Sequence, residues 1–273
     1  MFELHYRVMT IFDALILGLI EGATEFLPVS STGHLILASS ALAIPDSDFL
    51  TSFIIAIQFG AIAAVLLTYW RAFLSIELLK RLFVAFIPTA IIGFTLYPLI
   101  KGFLLGNELI VVLALFVGGV LLILFELWHT EPRTAHETAE ELSPAHSPTT
   151  ISYRQALAVG LFQSIAIIPG VSRSAATVIG GLLVGLRRVT VVEFSFLLAV
   201  PTMGAATSYD LLKSYESFAG ADISLLLIGA VTAFITALVA LRLFLGFIKR
   251  YTFIPFGVYR IILASVFALI ILT

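Results

Sequence analysis

Two carboxylates, Glu21 and Glu25, stand at positions i and i+4 of an otherwise apolar stretch. On a helix this spacing places both on one face, where they repel each other when both are ionised. A divalent cation, a basic side chain or a bound proton would relieve that repulsion. A water-exposed helix end would also tolerate the pair. Because a polar break follows directly, a metal-binding or catalytic role is favoured.

The break itself, Pro28–His34, contains three consecutive hydroxyl residues followed by glycine and histidine. Ser31 and His34 are at i and i+3, so a helix that begins here carries them on adjacent positions of one face. A serine hydroxyl becomes a nucleophile when a base accepts its proton, and histidine is the usual base. Serine and threonine are also common helix caps, so the motif alone is a weak signal. We expect Ser30 and Thr32 to contact the substrate.

A second polar break spans residues 169–174 and carries Arg173. A helix that begins here offers free backbone N–H groups and the positive end of its dipole to an anion. The planar guanidinium adds a fork suited to phosphate oxygens. Further hydrogen bonds to the anion can come from Ser172, Ser174 and Thr177. The segment therefore predicts a phosphate-binding site, although Arg173 could instead pair with Glu21 or Glu25 to hold the two breaks together.

The elements that must position these residues are membrane helices. Of the 273 residues, 60% are hydrophobic and 12% are charged, against about 45–50% and about 25% in soluble domains. A spanning helix needs ~20 mostly apolar residues. Such stretches are Leu50–Tyr69, Leu82–Leu99, Leu109–Trp128, Ser224–Phe247 and Phe253–Leu272, and the shorter Glu193–Ser208 is predicted as a sixth span.

Residues 11–43 and 153–186 have a different pattern, in which an apolar helix, a proline-containing break and a short apolar run follow one another. Irregular backbone at membrane depth is tolerated only when it is buried in protein or lines a watery cavity. Each region is therefore predicted to be a re-entrant helical hairpin with the break at its tip. Ionisable side chains there cost ~2.5–3.5 kcal/mol or more, which is a reason to expect a function.

The sequence also predicts two related halves. Gly18–Glu21 resembles Gly160–Gln163, and each precedes a Val-Ser pair by the same spacing. The predicted fold is an all-α polytopic membrane protein, with halves 1–128 and 153–273 joined by a polar linker, 129–152. Each half has one hairpin and three spans, and an odd number of spans makes the halves inverted copies. Because loops rich in Lys and Arg stay in the cytoplasm, the first hairpin is predicted to enter the membrane from the outside and the second hairpin from the cytoplasm.

Charge and cysteine content exclude some functions. The net charge of −2 gives no basic surface for nucleic acid, so no nucleic-acid partner is expected. The chain has no cysteine, which excludes disulfides, thiolate metal sites and a cysteine nucleophile. Arg260 lies within the last predicted span, and we expect it to face the interior or to pair with an acidic group.

Four segments carry a family resemblance. Glu21–His34 and Pro169–Thr177 resemble the two signature regions of the undecaprenyl-diphosphate phosphatases, also known as the bacitracin-resistance family. Glu193–Pro201 and Phe253–Arg260 are similar to further family landmarks, so the resemblance covers nearly the whole chain. One departure is Ala175, where the family usually has glycine.

The resemblance implies removal of the terminal phosphate of undecaprenyl pyrophosphate, which returns the monophosphate carrier to peptidoglycan synthesis. It implies a divalent metal, Mg²⁺ or Ca²⁺, and a site facing the outer side of the cytoplasmic membrane. Its partners would be the polyprenyl pyrophosphate substrate, membrane lipid and a second copy of the chain in a homodimer. The critical positions it implies are Glu21, Glu25, His34 and Arg173.

These observations give one mechanistic hypothesis with several alternatives. Ser31 attacks the terminal phosphorus while His34 handles its proton, and Glu21 and Glu25 bind the metal or one of them positions His34. Direct attack by His34, or by a metal-bound water, is also compatible with the sequence. A transporter or flippase for polyprenyl phosphate would also use broken helices and buried carboxylates. A structural scaffold would leave the buried charges unexplained.

Overall fold

A computed structural model describes residues 9–99, 108–129, 148–213 and 223–272. Every long element in these ranges is an α-helix, as the sequence predicts. Those of the first half are α1 (Ile11–Thr24), α2 (Ser31–Ala41), α3 (Asp48–Thr68), α4 (Ile76–Leu99) and α5 (Glu108–Trp128). Those of the second half are α6 (Tyr153–Gln163), α7 (Arg173–Leu183), α8 (Arg188–Lys213), α9 (Ile223–Ile248) and α10 (Ile254–Leu272).

Polar side chains determine where the two hairpins begin. Thr10 and Asp13 form a reciprocal capping box at the start of α1, and Ser152 and Gln155 form the same arrangement at the start of α6. Each box satisfies backbone N–H groups that the first helical turn leaves unpaired. The two hairpins therefore start with the same local chemistry, although their sequences differ at these positions.

The predicted breaks form two elbows, residues 25–31 between α1 and α2 and residues 168–173 between α6 and α7, each including the first residue of the helix that follows. Ser30 has φ 70° and Ser172 has φ 78°, and each caps the helix that follows it by accepting a backbone N–H through its hydroxyl. A positive φ is uncommon for a residue with a side chain, and such strain is found mainly at functional sites. The equivalent serines of the two elbows thus share an unusual conformation and the same capping role.

Close helix packing holds the hairpins in the bundle. The first helix, α1, packs along α9, and α6 packs along α4. A Cβ at Gly22 would lie 2.4 Å from the carbonyl oxygen of Ala233, and one at Gly160 would lie 2.0 Å from that of Ala85. Because no side chain larger than hydrogen fits there, these glycines set the distance between the hairpin helices and their neighbours.

Five helices are long and apolar enough to cross a membrane: Phe49–Thr68, Ile76–Leu96, Glu108–Trp128, Arg188–Tyr209 and Ile223–Ile248. They confirm a multi-pass membrane protein. The sixth predicted span corresponds to α10, whose apolar stretch Ile254–Ile270 is shorter. The inverted relation of the halves, the domain limits and the re-entrant path remain predictions, and most of the predicted linker, residues 130–147, lies outside the described residues.

Candidate active site

The two elbows meet through a buried ion pair. Nη2 of Arg173 lies 3.0 Å from Oε1 of Glu25, and the side chains are 11% and 7% exposed. The guanidinium also lies over the ring of Phe26, 5.9 Å from its centroid. Glu25 ends the first hairpin helix and Arg173 begins α7, so this pair joins residues that are far apart in sequence. The predicted convergence of the carboxylate and the guanidinium is present.

Ser31, at the end of the first elbow, also contacts Glu25. Its hydroxyl donates a hydrogen bond to Oε2 of Glu25, and both residues are buried. Glu25 therefore accepts from Ser31 with one oxygen and from Arg173 with the other. A carboxylate in contact with a serine hydroxyl can accept its proton, which is the requirement for activating a nucleophile.

Helix α8 provides further hydrogen-bond partners for Arg173. Its Nη1 donates to the backbone carbonyl of Ser195 at 2.8 Å and lies 3.4 Å from the hydroxyl of the same residue. Nε is buried and has no hydrogen-bond partner among the described residues. An unpaired buried donor is costly, so Arg173 retains a donor that an anionic ligand could satisfy.

A cavity of about 120 Å³ lies beside the ion pair. This volume is far above the ~10–15 Å³ that one water molecule needs. Both elbows contribute to it, and six predicted site residues line it: Glu25, Ser30, Ser31, Thr32, Ser172 and Arg173. The structure therefore collects hydroxyl groups, a carboxylate, a guanidinium and the N-terminal ends of two helices around one polar space.

Two predicted phosphate ligands lie elsewhere. Ser174 donates to the backbone carbonyl of Phe26 at 2.9 Å, so it ties the second elbow to the first. The hydroxyl of Thr177 lies 2.6 Å from that of Ser195 and bonds to carbonyls of its own helix. Neither side chain lines the cavity. In this arrangement they support the elbow and the arginine, and their direct contact with substrate stays a prediction.

His34 lies one turn into α2, on the side of the elbow that faces α10. Its Nδ1 is 2.8 Å from the backbone carbonyl of Ser30, and its Nε2 is 2.7 Å from the hydroxyl of Tyr259. Because a carbonyl only accepts, Nδ1 carries a proton, and in a neutral ring Nε2 accepts from the tyrosine. Both nitrogens of His34 thus have partners other than Ser31, whose hydroxyl donates to Glu25 instead of to the histidine predicted to handle its proton.

Glu21 lies one helical turn before Glu25 and is fully buried. Neither carboxylate oxygen has a hydrogen-bond partner among the described residues, and its charged neighbours are Glu25 and Arg173. No cluster of three or more His, Cys, Asp or Glu that could cage a metal is found in the described ranges. Mg²⁺, however, is commonly held by one or two carboxylates together with substrate phosphates. Glu21 has the unpartnered oxygens that such a role needs, but it does not line the cavity, whereas Glu25 lines it and has both oxygens already bonded.

Sequence reasoning missed two residues at the site. Gln58 of α3 lines the cavity, and Ser195 of α8 is completely buried against Arg173. The signal for Gln58 was available, because it is an amide inside an apolar predicted span. Ser195 gave no comparable signal, since single serines are common in membrane helices and only the fold brings it to the arginine.

The fold and the site define an all-helical, multi-pass membrane protein with a polar cavity between two broken helices. The profile of the bacitracin resistance protein BacA family matches residues 14–266, and the chain belongs to this family. It is 49% identical to the undecaprenyl-diphosphatase of Aquifex aeolicus, over 95% of this chain and 98% of that protein. Identity to the undecaprenyl-diphosphatase of Persephonella marina is 52%, over 97% of this chain and 100% of the relative.

Proposed function

We propose that this chain hydrolyses undecaprenyl pyrophosphate to undecaprenyl phosphate and inorganic phosphate, and so returns the lipid carrier to cell-wall synthesis. The observation that carries the proposal is the contact of Ser31, Glu25 and Arg173 beside a polar cavity between two helix N-termini. Relatives named undecaprenyl-diphosphatase, similar over nearly their full length, support the same activity.

Arg173 binds the pyrophosphate in this proposal. The guanidinium exchanges its bond to Glu25 for phosphate oxygens, and its unpartnered Nε adds a further donor. The hydroxyls of Ser30, Thr32 and Ser172 line the same cavity and can donate to the anion. Donors fixed before the reaction stabilise the charge that develops on the transferring phosphoryl group.

Ser31 is the proposed nucleophile and Glu25 its base. Oγ of Ser31 forms a bond to the terminal phosphorus while its proton passes to Glu25, and the bond from that phosphorus to the bridging oxygen breaks. The electron pair of the broken bond leaves with undecaprenyl phosphate. Water then attacks the phosphoserine and releases inorganic phosphate, and Ser31 regains its proton from Glu25. This assignment replaces His34 as the base, because Glu25 is the group in contact with the hydroxyl. Attack by His34 or by water remains the alternative.

A divalent cation, Mg²⁺ or Ca²⁺, would neutralise phosphate charge in the same site. Glu21, one helical turn before the cavity-lining Glu25, is the residue proposed to hold it, because its carboxylate is buried and its oxygens lack partners in the described part of the chain. Glu25 would join as a second ligand after Arg173 moves to the substrate.

The Glu21→Gln variant tests the metal proposal. We expect the Mg²⁺ concentration that gives half-maximal phosphate release to rise on the order of 10-fold or more, because removing one carboxylate ligand weakens cation binding. Without metal, the thermal unfolding temperature in detergent should stay equal or rise, because the substitution removes a buried carboxyl group whose oxygens have no hydrogen-bond partner in the described part of the chain. An unchanged Mg²⁺ dependence would assign the metal to other residues.

The proposed location is the cytoplasmic membrane, with the site open to the outer side. The outward-facing site rests on the family resemblance, whereas the orientation of the helices rests on the basic residues, since loops rich in Lys and Arg remain in the cytoplasm. The basic residues that set this orientation are Arg71, Lys80, Arg81, Arg187, Arg188, Arg242, Lys249 and Arg250. Homodimerisation is part of the proposal only through the family resemblance.

Phosphate release by the purified protein is the decisive experiment. Undecaprenyl pyrophosphate should yield inorganic phosphate and undecaprenyl phosphate, while undecaprenyl phosphate itself should yield none. A series of shorter prenyl pyrophosphates would measure the chain-length preference. A transporter of polyprenyl phosphate would move lipid between leaflets without releasing phosphate. Absence of phosphate release with Mg²⁺ or Ca²⁺ present would therefore overturn the proposal.

A further inference from the structure

Arg260 of α10 is fully buried, yet in the described part of the chain it forms no ion pair. Its expected interior position is confirmed. Its contacts are backbone carbonyls, and the acidic partner that the sequence offered as the alternative is not among them. A guanidinium has five N–H groups, and the five that Arg260 carries match five carbonyl oxygens. These belong to Pro28, Ala114, Leu115, Gly170 and Val171, at 2.9–3.3 Å.

The five carbonyls come from three different parts of the fold. Pro28 belongs to the first elbow and lies 3.3 Å from Nη1, while Gly170 and Val171 belong to the second elbow and lie 2.9 and 3.1 Å from Nη2 and Nη1. The remaining two carbonyls belong to the middle of α5. One side chain therefore connects both elbows to each other and to a neighbouring helix.

The neighbouring helix α5 has a glycine, Gly118, where the guanidinium of Arg260 lies. A Cβ at Gly118 of α5 would lie only 2.1 Å from Nη2 of Arg260. Any larger residue at this position would push the guanidinium out of its place. Lysine could not substitute for the arginine, because an ammonium has three donors on a single point and cannot form a planar five-donor fork.

The elbow carbonyls bonded to Arg260 also fix the direction of the next N–H group. In a trans peptide the C=O and N–H point in opposite directions. Because the carbonyl of Val171 is directed at Arg260, the N–H of Ser172 is directed away from it, and Ser172 lines the polar cavity. Arg260 thus acts on the site through the backbone, without lining the cavity itself.

We infer that Arg260 is a positioning residue that holds the two elbows in register, so that Ser31 and Glu25 of one face Arg173 of the other. Its expected effect on turnover rests on the proposed function, whereas its effect on the distance between the elbows does not. Small displacements of reacting groups lower rates steeply, since ~1 Å of misplacement can cost on the order of 10²-fold.

Spin labels can measure the elbow distance directly. The chain has no native cysteine, so labels attach only where cysteines are introduced. Leu27→Cys in the first elbow and Ile165→Cys before the second are suitable, because neither side chain lines the cavity. Pulsed EPR should give one narrow distance distribution in the parent protein. Arg260→Met should broaden or shift it and lower kcat on the order of 10²-fold with a smaller change in KM.

Two glycine variants separate positioning from a general loss of packing. Gly118→Ala keeps the arginine but displaces it, so it should broaden the distance distribution and lower kcat in the same direction. Gly204→Ala in α8 is the matched control, because a Cβ there meets nothing within 4 Å, and it should leave both readouts unchanged. If Gly118→Ala acts by displacing Arg260, it should add little to an Arg260→Ala background.

The EPR distances test the role of Arg260, and the rates of phosphate release test the proposed function. A narrow, unshifted distance distribution together with kcat within threefold of the parent in Gly118→Ala would overturn the positioning role. Gly118→Ala carries this test even if Arg260→Met does not fold, because it retains the guanidinium. If the parent protein hydrolyses no pyrophosphate, the activity proposal fails, while the EPR distances still decide the role of Arg260.

Discussion

Arg173→Met is expected to reduce phosphate release from undecaprenyl pyrophosphate by on the order of 10³-fold or more. Among the described residues, Arg173 is the basic residue that lines the cavity, and an arginine that stabilises a transferring phosphoryl group typically contributes a factor of this size. Methionine keeps much of the side-chain volume but removes every donor. The measurement is the initial rate of phosphate release by purified variant and parent at saturating substrate and Mg²⁺.

Loss of structure must be separated from loss of chemistry in this variant. Removing one partner of a buried ion pair typically costs about 3–5 kcal/mol, because the other charge remains uncompensated. Arg188→Met is a matched control, since Arg188 is 11% exposed and pairs with Glu126 at 2.9 Å, and neither residue lines the cavity. It should lower thermal stability to a similar degree and retain most activity.

A double variant makes the same distinction within the site. Glu25→Gln combined with Arg173→Met removes both charges, so it should recover much of the stability lost in the single arginine variant. Activity should stay absent, because neither the phosphate-binding group nor the base is restored. Phosphate release within tenfold of the parent by either Arg173 variant would contradict the role of the guanidinium in catalysis.

The helices and the elbows could be predicted because each depends on local sequence. Apolar stretches of spanning length and proline-containing polar breaks are read directly from residue order. The helices Ser31–Ala41 and Arg173–Leu183 begin where the hydroxyl motifs predicted helix starts. The meeting of Glu25 with Arg173 was also predictable, because buried charges of opposite sign inside a membrane have few other ways to be compensated.

The partners of individual side chains could not be predicted, because they depend on packing between distant segments. The spacing of Ser31 and His34 indicates a shared helix face, but it does not fix the direction of the histidine ring. That direction depends on Tyr259, which lies 225 positions away in the chain. Ser31 bonds instead to a carboxylate six positions earlier, across the elbow, where helical spacing rules no longer apply.

The partners of Arg260 could not be predicted from the sequence either. Its place in an apolar span predicted that it would face the interior or pair with an acidic group, and the sequence did not indicate which partners an interior guanidinium would find. Backbone carbonyls became its partners because the elbows expose carbonyl groups that no helix satisfies, and because Gly118 leaves space for the guanidinium. A sequence does not show which backbone carbonyls lack a helical partner, since every residue carries a carbonyl group.

Ser31→Ala is expected to lower phosphate release on the order of 10⁴-fold or more, because a reaction through a covalent intermediate loses its nucleophile. Substrate binding should change much less, since Arg173 and the remaining hydroxyls of the cavity are retained. Rapid acid quenching after mixing with pyrophosphate labelled at its terminal phosphate should trap a phosphoserine in the parent protein. Peptide mapping should place that label at Ser31.

Ser39→Ala is the matched control for this variant. Ser39 lies on the same helix, is 5% exposed, and its hydroxyl has no partner among the described residues. Its removal should leave the rate within about twofold, because no hydrogen bond in the described structure is lost. Full activity in Ser31→Ala would eliminate the serine mechanism. A label trapped on His34, or no label with normal turnover, would instead assign the attack to the histidine or to water.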